Sequence, residues 1–303
     1  MSGLENILVL GSKGFLGSYL ADSFKNQSNI YTCFKDFRGD LVLEQNGQVI
    51  STFENTPGSF IKITSEIMPK CIFNAIGLID SSICEKNQEL AFNVNADIPL
   101  ALAKASSKYG SRLIHFSTDA VFGQSGSQFS ELDKPLPSSV YGASKSKGED
   151  FIRQFSENHV IIRTNFVGYH SKKRTLFNFF YNNFINSLPA FGYSNVIFNP
   201  TYVLDVTEGS KDISNSEYIG TVHLVGGEVV SKFTYGSKIL EMLDLPKGLL
   251  KEQFFLAEND EGKRKIDLTL KSDVLESLYR PRFDINSGIS DSILKAKVDA
   301  NES

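Results

Sequence analysis

Within YGASKSKGED, Tyr141 and Lys145 stand four residues apart. On a helix that spacing puts both side chains on one face. A phenol ordinarily titrates at about 10, too high to trade protons well at neutral pH, and a neighbouring ammonium stabilises the phenolate and lowers that value. Such a pair can give a proton to a carbonyl oxygen. Spacing alone does not single it out, because Tyr31–Lys35 and Tyr169–Lys173 have the same separation. What sets Tyr141 apart lies upstream. HFSTDAVFG places Ser117, Thr118 and Asp119 directly after an apolar, strand-like run. Ligands of open parallel sheets collect at the carboxyl ends of strands, so a Thr118 hydroxyl there can hold a carbonyl oxygen while Tyr141 supplies its proton. This trio needs no metal. The four histidines (His115, His159, His170, His223) are scattered, and the three cysteines (Cys33, Cys71, Cys84) lack metal-ligand spacing. No metal site is expected, and the thiols read as buried and reduced.

A second constellation lies near the start. ILVLGSKGFLGSYL puts Gly11, Gly14 and Gly17 after one apolar run and at the head of an amphipathic one. The spacing is G-x-x-G-x-x-G. Glycine at 11 and 14 lets backbone approach a pyrophosphate, Gly17 lets helix pack on strand, and the helix N-terminus offers N–H groups to phosphate. Lys13, Phe15 and Leu16 belong to the same turn. The residue that would meet the adenosine ribose should follow about 20 positions later, in CFKDFRGDL. A strand ending at Phe34 puts Lys35 at its tip with Arg38 close by, cations suited to a 2′-phosphate and hence to NADP. A strand reaching Asp36 would favour NAD. The lean is to NADP.

These groups need a scaffold. Short apolar runs at 6–10, 30–34, 71–75, 112–116 and 159–163 alternate with helix-like stretches at 15–26, 59–68, 87–108 and 143–157. That alternation predicts an α/β fold, a doubly wound Rossmann-type parallel sheet with helices on both faces. Pro99 predicts a helix start or kink within the third stretch. After residue 168 the pattern loosens into a helix at 175–185, a strand at 221–227 and a helix at 232–243. Residues 1–168 therefore read as the dinucleotide-binding domain, joined by elements from about 202–228, and 169–201 with 229–303 as a smaller C-terminal substrate lobe. The polar loop 123–139 is long enough to be functional. The 303 residues are 41% hydrophobic and 22% charged, with a formal net charge of −4. No broad basic surface is expected, and so no nucleic acid as partner. No apolar run approaches the ~20 residues that cross a bilayer. MSGLEN lacks the basic stretch and apolar core of a secretion signal, which points to the cytoplasm.

Five segments, the glycine loop, FNAIG (73–77), FSTDAVFG (116–123), YGASK (141–145) and IIRTNFVG (161–168), occur in the order seen in extended short-chain dehydrogenases/reductases. More narrowly, the chain resembles the dTDP-4-dehydrorhamnose reductase family of nucleotide-sugar reductases, through Gly39-Asp40-Leu41, the STD-x-VF motif, Pro200-Thr201, VHLVGG (222–227) and YRPRFDINSGI (279–289). The resemblance implies hydride transfer from nicotinamide to a sugar keto carbon, in surface-polysaccharide or deoxysugar biosynthesis. Thr118 would position the carbonyl, Tyr141 protonate the alkoxide, and Lys145 also bind the nicotinamide ribose. It implies cofactor contacts at Asp40, Leu41, Ala75 and Gly77 and substrate contacts at Asp119, Asn165, Pro200, Thr201 and Arg264, the last standing in for an Arg-Pro pair that EGKRKIDLTL lacks. Related dehydratases carry Asp then Glu after the threonine. Here Ala120 holds the second place, so water elimination is disfavoured, and Asp119 either bridges loops or meets substrate. Glu85 reads as an ion-pair residue or a helix-start carboxylate, and Arg163 as structural. Two other readings stay open: a nucleotide-sugar epimerase with tightly held NAD, and a non-catalytic NADP-binding regulatory member. The intact trio argues against the second. Sugar, nucleotide and oligomeric state, a homodimer included, stay undetermined.

Overall fold

The computed structural model describes residues 5–25, 29–123, 126–255 and 266–302. An eight-stranded sheet organises the chain. Its strands are β1 (Asn6–Leu10), β2 (Asn29–Lys35), β3 (Leu41–Gln45), β4 (Gln48–Phe53), β5 (Cys71–Asn74), β6 (Arg112–Thr118), β7 (His159–Thr164) and, past four short strands, β12 (Gly220–His223). The order across the sheet is β12-β7-β6-β5-β1-β2-β3-β4. All neighbours run parallel except β2–β3 and β3–β4. The candidate strands leave out this antiparallel hairpin, although its tip carries a legible signal. Asn46 and Gly47 both have positive φ (50° and 83°), the pairing of Asn-Gly with a two-residue turn.

Successive residues of β1 serve opposite faces, as strand geometry demands. Ile7 and Val9 join Leu16 and Leu20 of α1 (Phe15–Phe24) and Val203 and Val206 of α8 (Val203–Asn215). Leu8 and Leu10 join Phe60 and Ile63 of α2 (Pro57–Ile67), Ile98 and Leu102 of α5 (Ile98–Tyr109) and Ile152 of α6 (Val140–Phe155). All seven residues of β6 are buried, which is why its sequence shows no polar alternation. The single helix expected over 87–108 is divided. After α3 (Ser81–Lys86) come α4 (Gln88–Phe92), a π-helical turn (Asn93–Asp97) and then α5, whose first turn accommodates the N–H-less Pro99.

Beyond β7, a third apolar cluster gathers Phe177, Phe180 and Phe184 of α7 (Leu176–Ile185), Tyr235 and Ile239 of α9 (Lys232–Met242), and Ile289 and Ile293 of α11 (Ile285–Glu302). Three two-stranded ladders tie this part together: β8 (Phe166–Val167) with β11 (Thr201–Tyr202), β9 (Ala190–Tyr193) with β14 (Leu250–Gln253), and β10 (Ile197–Phe198) with β13 (Val230–Ser231). The expected strand at 221–227 ends at His223, where it has finished pairing with β7. Among the described residues no helix is long and apolar enough to cross a membrane, and no group of three or more His, Cys, Asp or Glu is arranged to hold a metal ion.

Candidate active site and cofactor cleft

The end of β6 and the start of α6 meet because of one missing side chain. A Cβ on Gly142 would lie 2.2 Å from the Ala120 carbonyl oxygen, so only glycine lets the first turn of α6 rest on the turn that follows Thr118. Two groups fasten that first turn. Ser139 accepts the Gly142 N–H (3.1 Å), and Glu85 Oε1, reaching over from α3, accepts the Val140 N–H (2.9 Å). Glu85 thus serves as a carboxylate at the start of α6, where the helix dipole favours negative charge. Thr118 Oγ1 donates to Asp119 Oδ1 (2.9 Å) and accepts the Ala120 N–H (3.2 Å). The Tyr141 hydroxyl lies within electrostatic reach of Thr118. Asn165, just past β7, donates to Asp119 Oδ2 (2.6 Å). Asp119 therefore bridges the β6 and β7 loops.

Electrostatics depart from the simple tyrosine–lysine picture. Burial pushes the Tyr141 hydroxyl above its ordinary value, Thr118 pulls it down and Asp119 adds to the rise. The Lys145 amine is engaged by the strand: Nζ donates to the Phe116 carbonyl oxygen (2.6 Å) and lies 3.3 Å from His115 Nε2. Burial lowers Lys145 to about 8, with Glu149 acting in the opposite direction. Burial also raises Asp119, against hydrogen bonds from Asn165 and Thr118 and the nearby charge of Lys232. One turn beyond Lys145, Glu149 takes Arg163 in two bonds (3.0 and 2.7 Å), Arg153 (2.7 Å) and the Ser117 hydroxyl (2.5 Å). Burial alone would raise its carboxyl, but the arginines outweigh it and hold Glu149 at about 2. Arg163 also lies over the Phe122 ring at 4.9 Å and is structural, as its place in β7 suggested.

Beside these residues opens a cleft of about 710 Å³ over the carboxyl ends of β1, β2 and β5. Of the expected cofactor residues, Gly11, Lys13, Gly14, Lys35, Leu41, Ala75 and Gly77 line it. Gly11 has φ +81°, and a Cβ there would meet the Ala75 carbonyl oxygen at 2.9 Å. Gly17 is required by packing, since its Cβ would lie 2.1 Å from the Gly11 carbonyl oxygen. Leu16 is buried in the core, and the Phe15 ring packs against Phe166 at 5.2 Å, tilted by 45°. No side chain caps α1 at Gly14, which suits a helix end that receives an anion. β2 ends on Lys35, and Asp36 turns back on its own loop, where Oδ1 accepts the N–H groups of Arg38, Gly39 and Asp40 (each 2.9 Å). Arg38 and Asp40 are exposed at that turn. Thr118, Tyr141 and Lys145 do not line the cleft. A chain of hydrogen bonds runs from its wall to the backbone of Tyr141: Asn95 clasps the Leu78 backbone (2.9 and 3.0 Å) and donates to Ser144 (3.0 Å), which donates to the Tyr141 carbonyl (2.8 Å).

A family model described as the RmlD substrate binding domain matches residues 5–267. The chain belongs to this family. A Bacillus subtilis relative, spore coat polysaccharide biosynthesis protein SpsK, is 28% identical over 256 residues, 82% of each chain. The dTDP-4-dehydrorhamnose reductase of Salmonella typhimurium is 31% identical over 166 residues, 54% of this chain and 51% of that one. The crystal structure of dTDP-4-dehydrorhamnose reductase from Bacillus anthracis in complex with NADP superposes with a TM-score of 0.82 at 20% identity, over 96% of this chain and 99% of the other. That last likeness shows the Rossmann-type fold. The family match and the reductases among its relatives bear out the expected family and its oxidoreductase class.

Several residues that family reading marked lie apart from the Thr118–Tyr141 pair or are used internally. Thr201 is 1% exposed and its hydroxyl accepts the Gly226 N–H (2.9 Å). Pro200 lines a separate hollow with Val225, Gly226 and Arg282. Arg264 lies outside the described residues. Other residues close on the site without having been singled out. Lys173 lines the cleft; it belongs to the Tyr169–Lys173 pair, whose spacing carried no signal of its own. Asn95 sits in the π-helical turn, and Lys232 begins α9 within reach of Asp119's charge.

Proposed function

We propose that this protein reduces the keto group of a nucleotide-activated deoxy sugar of the dTDP-4-dehydrorhamnose kind, with NADPH as reductant. The observation that carries the reading is the placement of Thr118 at the carboxyl end of β6 against the first turn of α6, which bears Tyr141, next to a glycine-lined dinucleotide cleft. The residues present fit such a cofactor. Gly11, Gly14 and the uncapped start of α1 suit a pyrophosphate, and Ala75 and Gly77 give a smooth wall. Lys35 with Arg38 suit a 2′-phosphate, since Asp36, the carboxylate that directly follows the strand, is engaged by its own turn. NADPH, when bound, supplies the hydride. The protein's part is to deliver the Tyr141 proton to the carbonyl oxygen, while the Thr118 hydroxyl turns its one proton from Asp119 to that oxygen. Burial keeps that phenol protonated, the state a donor needs. Asp119 and Asn165, locked together, fix the Thr118 hydroxyl and face the substrate side. Lys145 serves the nicotinamide ribose and the tyrosine once it leaves the strand.

The test is NADPH oxidation with a panel of dTDP- and UDP-linked 4-keto-6-deoxyhexoses. Turnover with at least one, reduced ~10²- to 10⁴-fold in Tyr141→Phe with NADPH affinity retained, is expected. Silence across the panel, or a Tyr141→Phe protein as active as the parent, refutes the proposal.

A further inference from the structure

One buried group near the site has no part in that chemistry. His115, on β6, is fully buried, with Nδ1 3.0 Å from Asn74 Nδ2 and Nε2 3.3 Å from Lys145 Nζ. Which nitrogen carries the ring proton follows from its neighbours. Asn74 Oδ1 accepts the Ile76 N–H (3.2 Å), so the amide turns its NH₂ end to the ring. An NH₂ group can only donate, which makes Nδ1 the acceptor and leaves the proton of a neutral imidazole on Nε2. That Nε2–H points at Lys145 Nζ, which already donates to the Phe116 carbonyl (2.6 Å). A free amine has one lone pair to receive it. An ammonium has none, and two N–H groups would meet head to head. Charges that bear on the pair come from α6, where Glu149 and Arg153 lie, and from Arg163 of β7 through Glu149. Burial depresses both members, His115 well below its ordinary value and Lys145 to about 8.

We propose that His115 is a positioning residue that holds the uncharged form of Lys145 retracted onto β6, and that uptake of one proton from solvent by Lys145 breaks the Nε2–H···Nζ contact and releases the side chain toward Tyr141 and the cofactor cleft. No electrons move and no covalent bond other than the new N–H forms. The consequence for turnover rests on the reductase reading. The tautomer and the charge of the lysine do not.

Two measurements separate the cases. Long-range ¹H–¹⁵N NMR of the cofactor-free full chain, with the His115 signals assigned by their loss in His115→Gln, should show a bare Nδ1 and a protonated Nε2. The opposite tautomer, or a charged ring at neutral pH, overturns the proposal. NADPH titrations across pH 6–10 need no sugar substrate. Affinity should fall as pH rises through about 8 in the parent. In His115→Phe, which removes the donor to the free amine, that fall should move up by roughly half a pH unit or more. His115→Gln carries an N–H donor at similar reach and should restore the parent profile. A fall that does not move in His115→Phe, or moves equally in both variants, overturns the proposal. An inactive sugar panel with the expected tautomer and titration would count against the reductase reading alone.

Discussion

Replacing Gly142 with alanine tests whether the meeting of β6 and α6 controls chemistry. The added Cβ would lie 2.2 Å from the Ala120 carbonyl oxygen, about 1 Å inside ordinary contact, and the obstacle is backbone that cannot rotate away. The first turn of α6 must therefore retreat by about that distance, and it carries Tyr141 with it. A displacement of this size between a catalytic group and its target costs on the order of 10²-fold in rate. Helix propensity pulls the other way, since alanine stabilises a helix interior over glycine by about 1 kcal/mol. The variant should therefore stay folded while losing turnover. The assay is NADPH oxidation with the best sugar of the panel, alongside thermal melting and NADPH affinity. A roughly hundredfold fall in kcat with cofactor affinity within a few-fold of the parent is expected. Gly58→Ala is the control: it lies in α2 with nothing nearer its Cβ than Thr56 Oγ1 at 3.8 Å, and it should leave turnover untouched. A Gly142→Ala protein with parental kcat would show that the Thr118–Tyr141 contact does not depend on this close approach.

Two further perturbations probe the cofactor end and the support of α6. Lys35→Ala removes the exposed cation at the tip of β2 and should weaken NADPH binding by about 10-fold or more with NADH affinity unchanged; equal losses for both cofactors would sink the 2′-phosphate assignment. Arg163→Met strips two bonds from a fully buried carboxylate and should cost roughly 3–5 kcal/mol in urea unfolding. Because Glu149 sits at about 2 against an ordinary 4.5, its contribution in the parent is present above about pH 4.5 and drains away as pH falls toward 2. In Arg163→Met the folded-state value moves back up toward the ordinary 4.5, so this loss between about pH 4.5 and 2 should shrink or vanish, and an unchanged acid limb would count against the pairing.

What the sequence made legible was what local chemistry encodes. Continuous apolar runs such as RLIHF marked strands buried on both faces, and three glycines after the first of them marked a strand-to-helix turn under a cleft. The hairpin at 41–53 passed unread because its residues are only half apolar, although Asn46-Gly47 announced the turn. The division of 87–108 into two α-helices about a π-helical turn depends on Asn95 reaching Leu78 and Ser144, contacts that no short-range pattern carries. The direction of Lys145 was illegible for the same reason. Helical spacing places Tyr141 and Lys145 on one face, but the strand beneath that face decides what each side chain touches. Here β6 offers a carbonyl and an imidazole to the amine and a hydroxyl to the phenol.

That division of partners ties the stability of the sheet to the reaction. Every group that would handle the proton hangs on the β6–α6 contact: Thr118 ends the strand, Phe116 and His115 grip Lys145, and Ser117 bonds Glu149 two turns down the helix from Tyr141. Glu149 in turn is neutralised by Arg163 on the next strand, so helix and both strands are clamped by one buried ion pair. Removing a buried charge partner is costly because the remaining charge has no water to turn to, which makes the clamp stiff. Stiffness is what a proton donor and a carbonyl-holding hydroxyl require, since both must stay within hydrogen-bond reach of one oxygen. Lys145 is held by a carbonyl oxygen and an imidazole with no carboxylate in direct bond, and on the proposal above the uptake of a proton frees it to change partners.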